Sequence, residues 1–428
     1  MKMSLISIVD AQTFLNTYTR FNKRDRNIQK QVTEIIDTVV EKKDKALIDY
    51  TKKFDHVELT SIRVPEKSIS DSLNNLDLKT RTIFERAIEN VKQFHQKQRQ
   101  ESWKETFSDG SQLGQLYSPI DRVGIYIPGG RAVYPSTLIM NAVPAQIAGV
   151  PSIVAISPPG KSGLPHPLIL ATCGLLELDE IYAIGGAHGI AALAYGTESI
   201  PPVFKITGPG NSYVAEAKRQ VFGAVGIDTI AGPSEILILH DDKDIPIEYI
   251  VRDLLSQAEH DPDARCTLIT IHKETAEKVS QRLDSLIPQL PRKNIIEQSV
   301  RENGRIIVVD HLDQGVELVN IIAPEHFELL VKDSSIVTKI RNAGAIFVGQ
   351  WSSEPLGDYF AGPNHTLPTN GAAKYASPLG VHDFQKHSSY IEYSIDRLKA
   401  QGSDIVNFAE LEELYAHAAA INARLEKI

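Results

Sequence analysis

From Arg122 onward the chain alternates short apolar runs with stretches of helical character, and this rhythm confines it to the α/β class. The runs are VGIYI, SIVAIS, EIYAIG, VFKITG, EILIL, CTLITI, RIIVV and AIFVG, with segments such as TLIMNAVPAQIAG and NSYVAEAKRQVFG between them. Strands without polar alternation are buried on both faces, as in a parallel sheet covered by helices. Two sheets are therefore expected, one from about Val123 to Ile230 and one from about Ile236 to Gly349. Glycines at the strand ends (Gly129, Gly130, Gly185, Gly186, Gly208, Gly210) mark loops where open α/β sheets bind ligands. Between Lys23 and Tyr50, Ile28, Val32, Ile35, Ile36, Val39 and Val40 fall at helical spacing, and a second helical pattern runs from Leu78 to Gln98. These early helices are expected to pack on the second sheet. A polar stretch follows near Thr106 to Gly114. After about Ser377 the strand signal is lost, and a helical pattern from Phe408 to Leu425 ends the chain. There is no internal repeat.

The 428 residues suffice for two or three domains, and 42% hydrophobic with 23% charged residues is ordinary for a soluble protein. A net charge of -9 argues against nucleic acid or an anionic membrane as the main partner, since either favours a basic face. Cys173 and Cys266 sit among apolar residues and read as reduced core thiols. The N-terminal apolar stretch reaches Asp10 too early for a secretory signal, and no run of about 18 apolar residues occurs. A cytoplasmic protein is expected.

Four segments carry candidate chemistry. In LLSQAEH, Gln257 and His260 are three apart near a helix end and can converge on a cation, although a capped end with a solvated histidine fits equally. In APEH, Glu325 and His326 form a carboxylate–imidazole pair suited to activating water and taking a proton, if burial tunes them; ordinary surfaces also carry such pairs. GDYFAGPNHTLPTNG holds Asp358 and His365 in a loop stiffened by Pro363 and Pro368, which could reach a metal or simply be solvated. Together these segments offer oxygen and imidazole ligands without thiolates, the donor set of a zinc or manganese site. In the C-terminal ELEELYAHAAA, Glu412 and His417 are five apart and share no helical stripe, so a solvent-facing helix is the better reading of that segment alone. Gly-rich turns in VGIYIPGG, IGGAHG and KITGPGN could bring backbone amides to phosphates, but none fits G-x-G-x-x-G and all could be tight turns.

Taken in order, VGIYIPGG, GPGNSYVAEAKRQV, AGPSE, LLSQAEH, APEH, GDYFAGPNHTLPT, DFQK and the C-terminal AH resemble the histidinol dehydrogenase family over nearly the whole chain. The resemblance implies an α/β fold of two Rossmann-like domains with incomplete doubly wound parallel sheets, plus small N-terminal and C-terminal helical extensions. The implied division is an N-terminal extension over 1–23, a discontinuous first domain over 24–122 and 236–377 with the metal and catalytic residues, a second, NAD-side domain over 123–235, and a C-terminal extension over 378–428. It implies one zinc ion per subunit, held by Gln257, His260, Asp358 and His417. The last would act in the partner's site of a homodimer. Substrate contacts implied are Ser234, Gln257, His260, His326, Asp358, His365, Glu412 and His417; cofactor contacts are Tyr126, His188 and Asn211. The family's usual Gln-Ala is here His188-Gly189, a bulkier and titratable donor. The activity implied is the NAD-dependent four-electron oxidation of L-histidinol through L-histidinaldehyde to L-histidine, the last step of histidine biosynthesis, with Glu325 and His326 as catalytic residues. Two other readings stay open: a related zinc and NAD dehydrogenase of another polar alcohol, and a non-catalytic metal-binding paralogue.

Overall fold

The computed structural model describes residues 4–18, 25–129, 133–230 and 232–428, so Lys23, Gly130 and Ala231 lie outside the described residues. Both expected parallel sheets form. The five-stranded sheet runs, in spatial order, Ile181–Tyr182, Ser152–Ile156, Arg122–Tyr126, Lys205–Thr207, Gly226–Ile227. The six-stranded sheet runs Ser7–Asp10, Arg305–Val308, Arg265–Thr270, Glu235–His240, His326–Leu330, Ala345–Val348. In both, the chain moves outward from a central strand and then returns to its other side, leaving a topological switch point. Cys173 and Cys266 are free and fully buried in the two cores.

Three features depart from the sequence reading. The helix Arg26–Phe54, begun by Asp25 accepting from the amides of Asn27 and Ile28, buries Val32, Ile35, Ile36 and Val39 as the spacing predicts. It and the helices Glu66–Asn74 and Leu78–His95 pack on the helices of the five-stranded sheet, not on the six-stranded one. An apolar stripe says that a helix is covered, and says nothing about which sheet covers it.

A third sheet was not anticipated. Gln385–Glu392, Gln112–Pro119 and Trp103–Thr106 pair antiparallel, so the polar stretch and the tail after Ser377 both contain strands. The two outer strands are largely exposed and the central Gln112–Pro119 is mostly half-buried; the pairing across the chain, not apolar alternation, holds them. The N-terminal segment likewise begins with a strand, which extends the edge of the six-stranded sheet before the short helix Ala11–Thr17. Among the described residues no helix is long and apolar enough to cross a membrane.

Candidate active site

The six-stranded sheet carries its ionisable cluster at the amino ends of its strands. The helix Leu312–Ile322 closes on Ala323 in the left-handed region (φ 55°), Pro324 turns the chain, and His326 opens the strand His326–Leu330. Glu325 Oε2 accepts from the Glu235 amide at 2.8 Å, and His326 Nδ1 lies 3.1 Å from the Glu235 carbonyl oxygen. A carbonyl can only accept, so Nδ1 holds the proton and Nε2 the lone pair. That Nε2 is buried without a hydrogen-bond partner and lies 3.8 Å from Asp358 Oδ1. Burial pushes His326 down to about 3, so the ring is a neutral base. Burial also raises the Glu325 carboxyl well above its usual range, and the carboxylates of Glu235, Asp358 and Glu354 add to the effect.

The helix Ile247–Ala258 brings Gln257 and His260 to the same place. Gln257 is fully buried, and neither its Oε1 nor its Nε2 has a hydrogen-bond partner. An orphaned buried amide is costly, so both atoms call for a ligand. Opposite stands the short helix Glu354–Tyr359, whose residues Glu354 and Asp358, four apart, share one face. One donor atom each from His260, Glu354 and Asp358 lie within 4.8 Å of one another. His365 Nδ1 donates to the Asp358 carbonyl at 3.0 Å, leaving its Nε2 as an acceptor, and burial lowers its pKa to about 4. Ser234 is half-buried immediately before the strand Glu235–His240.

The fold thus gathers His260, Glu325, His326, Asp358 and His365, with Gln257 buried at the end of the helix that leads to His260. It does not bring Glu412 and His417 into the cluster of donor atoms around His260. Both are exposed on a C-terminal hairpin of the helices Ile395–Leu411 and Tyr415–Leu425, where they line a separate hollow of about 630 Å³ with Phe408 and Ile421.

Sequence reasoning missed four carboxyls near the cluster: Glu354, Glu235 and Glu328, which are buried, and Asp253, which is half-buried. Glu354 Oε2 accepts from Ser256 Oγ at 3.0 Å while its Oε1 is orphaned, and its amide donates to Glu328 Oε1 at 2.9 Å. Burial raises Asp253, Glu328 and Glu354 alike. The Glu354–Asp358 spacing was the available signal for the first; Glu328 gave none, because a fully buried carboxyl inside a strand runs against residue preferences.

The five-stranded sheet holds a cavity of about 1180 Å³ at the carboxyl ends of its strands, and Tyr126, His188 and Asn211 all line it. That is large for a small-molecule pocket and lies where open α/β sheets bind ligands. The helix Gly186–Tyr195 points its amino end here, with the Gly186 amide donating to the Tyr126 hydroxyl at 3.3 Å. Asn211 caps the helix Ser212–Val221 by accepting from the amides of Tyr213 and Val214. Gly208 has φ 112°, and a side chain there would collide with the Tyr126 carbonyl. Its amide donates to Asp228 and its carbonyl accepts from Lys218, which are themselves a buried ion pair. His188 lies beside the rings of Tyr50 and Phe54 at 5.8 and 6.1 Å; its Nδ1 has no partner, and burial lowers it to about 4.

Known proteins resemble this chain over most of its length. A family model described as histidinol dehydrogenase matches residues 18–425. Histidinol dehydrogenase of Halalkalibacterium halodurans is 50% identical over 399 residues, covering 93% of this chain and 94% of its own, and that of Bacillus subtilis is 48% identical over 401 residues, covering 94% of each. The crystal structure of histidinol dehydrogenase from Elizabethkingia anophelis superposes with a TM-score of 0.94 at 35% identity, covering 100% of this chain and 99% of that one. An acetylating aldehyde dehydrogenase from Geobacillus thermoglucosidasius, with a TM-score of 0.50 at 12% identity, shares the fold alone, over 90% of this chain and 94% of that one. The chain belongs to the histidinol dehydrogenase family, NAD-dependent oxidoreductases that act on histidinol.

Proposed function

We propose that the cluster on the six-stranded sheet is where L-histidinol is oxidised through L-histidinaldehyde to L-histidine, and that the cavity on the five-stranded sheet holds NAD. The observation that carries the reading is the fully buried, unpartnered amide of Gln257 next to His260, with the neutral Nε2 of His326 left unpaired beside Asp358. Oxygen and imidazole donors without a thiolate fit zinc, and also manganese. Gln257, His260 and Asp358 would hold the ion together with His417 of the partner subunit in a homodimer. Zinc when bound supplies Lewis acidity and a template for the substrate's nitrogens. NAD when bound, through Tyr126, His188 and Asn211, takes the hydride.

The residues of the chain divide the proton work. His326 Nε2 removes the hydroxyl proton of the alcohol as the carbinol hydrogen leaves as hydride. Glu325, a stronger base for being buried, then takes a proton from the water that attacks the aldehyde carbon, while His326 returns the proton it took to the carbonyl oxygen, giving the hydrate and a neutral imidazole. His326 removes a hydroxyl proton of the resulting hydrate as the second hydride leaves, to a second NAD. Ser234, His365 and Glu412 of the partner subunit orient the substrate, and keeping the aldehyde bound between steps explains why one site serves both oxidations.

The test is the NADH formed per L-histidinol consumed by the zinc-loaded protein. Two is expected; one would mean that the aldehyde escapes and would remove Glu325 from its assigned role.

A further inference from the structure

Two acidic side chains line the cavity without a part in the reading above, Glu34, which is exposed, and Asp55, which is half-buried. Asp55 follows the helix Arg26–Phe54, its amide bonded to the Thr51 carbonyl, and its side chain lines the cavity. Asp55 Oδ2 is buried and has no hydrogen-bond partner among the described residues. Burial raises the carboxyl to about 6, which leaves it mostly ionised at neutral pH. A desolvated carboxylate oxygen without a donor is unfavourable, and a ligand that donates to it relieves that penalty.

A carboxylate can only accept, so it repels phosphates and selects donors. NAD offers an adenine amine, a carboxamide and two ribose diols. Only a diol presents two adjacent hydroxyls to match the two oxygens of one carboxylate, and an acidic residue reading a ribose diol is a recurrent solution in dinucleotide sites. A phosphate on the adenosine 2′-oxygen removes one of those donors and sets two negative charges against a poorly solvated third.

We propose that Asp55 receives the adenosine ribose diol of NAD and thereby sets the preference for NAD over NADP. This rests on the reading of the cavity as the cofactor site. Lys53, exposed at the same helix end, also lines the cavity. With Asp55 neutralised, its ammonium is left to attract a 2′-phosphate.

The experiment measures kcat/KM with NAD and with NADP, and NADH and NADPH affinity by fluorescence titration, for the wild-type zinc-loaded enzyme, Asp55→Asn and Asp55→Ser. Losing one charge-assisted contact should weaken NAD by about tenfold, and the NAD to NADP ratio of kcat/KM should fall by about tenfold or more. The KM for L-histidinol and the zinc content should not move, which reports that the variants are folded. An unchanged ratio overturns the proposal, including the case in which NAD weakens and NADP weakens equally, as a contact to the nicotinamide ribose would give. Ser162→Trp, which fills the cavity from a separate loop, isolates the underlying reading. If NADH still binds with wild-type affinity although the cavity is filled, the cavity is not the cofactor site; if NADH is lost while Asp55→Asn keeps the ratio, only the role of Asp55 fails.

Discussion

At the residue scale, two groups of opposite tendency meet at the amino end of one strand: a histidine held neutral and a carboxyl held high. His326→Gln should lower kcat for both oxidations by about 10²–10⁴, the usual contribution of a positioned base. Glu325→Gln should spare the alcohol step and slow aldehyde oxidation, read by supplying L-histidinaldehyde directly. The opposite pattern would reverse the assignment. His188 gives a pH prediction away from this cluster. Its folded pKa of about 4 lies below the ordinary 6.5, so between those values the unfolded chain takes up a proton that the folded chain refuses. Stability from this group is complete above pH 6.5 and is lost as pH falls toward 4, by about 3 kcal/mol in all. His188→Gln should flatten the fall of the urea midpoint between pH 7 and 5; an unchanged slope would show that His188 is not buried neutral. The sequence made Glu325, His326 and His188 visible as residues, whereas their protonation follows from burial, which no local pattern encodes.

At the scale of elements, period-two geometry explains the carboxyl chain behind the site. Along His326–Leu330, His326 and Glu328 share one face, while Phe327 and Leu329 face the opposite core. HFELL has no β-branched residue and carries two ionisable ones, so the strand was missed even though its pair APEH was singled out. Helix spacing was legible where an apolar stripe continued, as in Arg26–Phe54. The C-terminal helical pattern conceals a break at Glu412–Leu414, with Glu413 in the left-handed region at φ 61°. That break, not a single stripe, joins Glu412 and His417 across one hollow. Gly208 is the loop position with least freedom: Gly208→Ala should destabilise the fold by about 1–3 kcal/mol and weaken NAD more than L-histidinol, measured by thermal unfolding and separate KM values. Equal loss of both KM values would point to a general defect.

At the scale of the whole molecule, the two sheets use opposite ends. The large cavity lies at the carboxyl ends of one, and the ionisable cluster at the amino ends of the other. The C-terminal hairpin leaves Phe408, Leu411 and Tyr415 66%, 82% and 66% exposed, a face suited to covering by a second copy. If His417 serves the partner's site, His417→Ala should lose zinc, and mixing unfolded and refolded His417→Ala with His326→Ala should recover activity. Random pairing makes half the dimers mixed, each with one intact site, so about a quarter of wild-type activity is expected. No recovery, or full zinc occupancy in His417→Ala, would place the ligand elsewhere.

The sequence by itself determined the α/β class, both parallel sheets and the segments that supply the cluster, because strand burial, helix stripes and turn residues are written within a few neighbouring positions. The tertiary structure decided which sheet the early helices cover, the pairing of polar strands from the two halves of the chain, and the convergence of His260, Glu354 and Asp358. Each of these joins residues far apart in sequence through burial and long-range pairing, and a local periodicity carries no record of its partner.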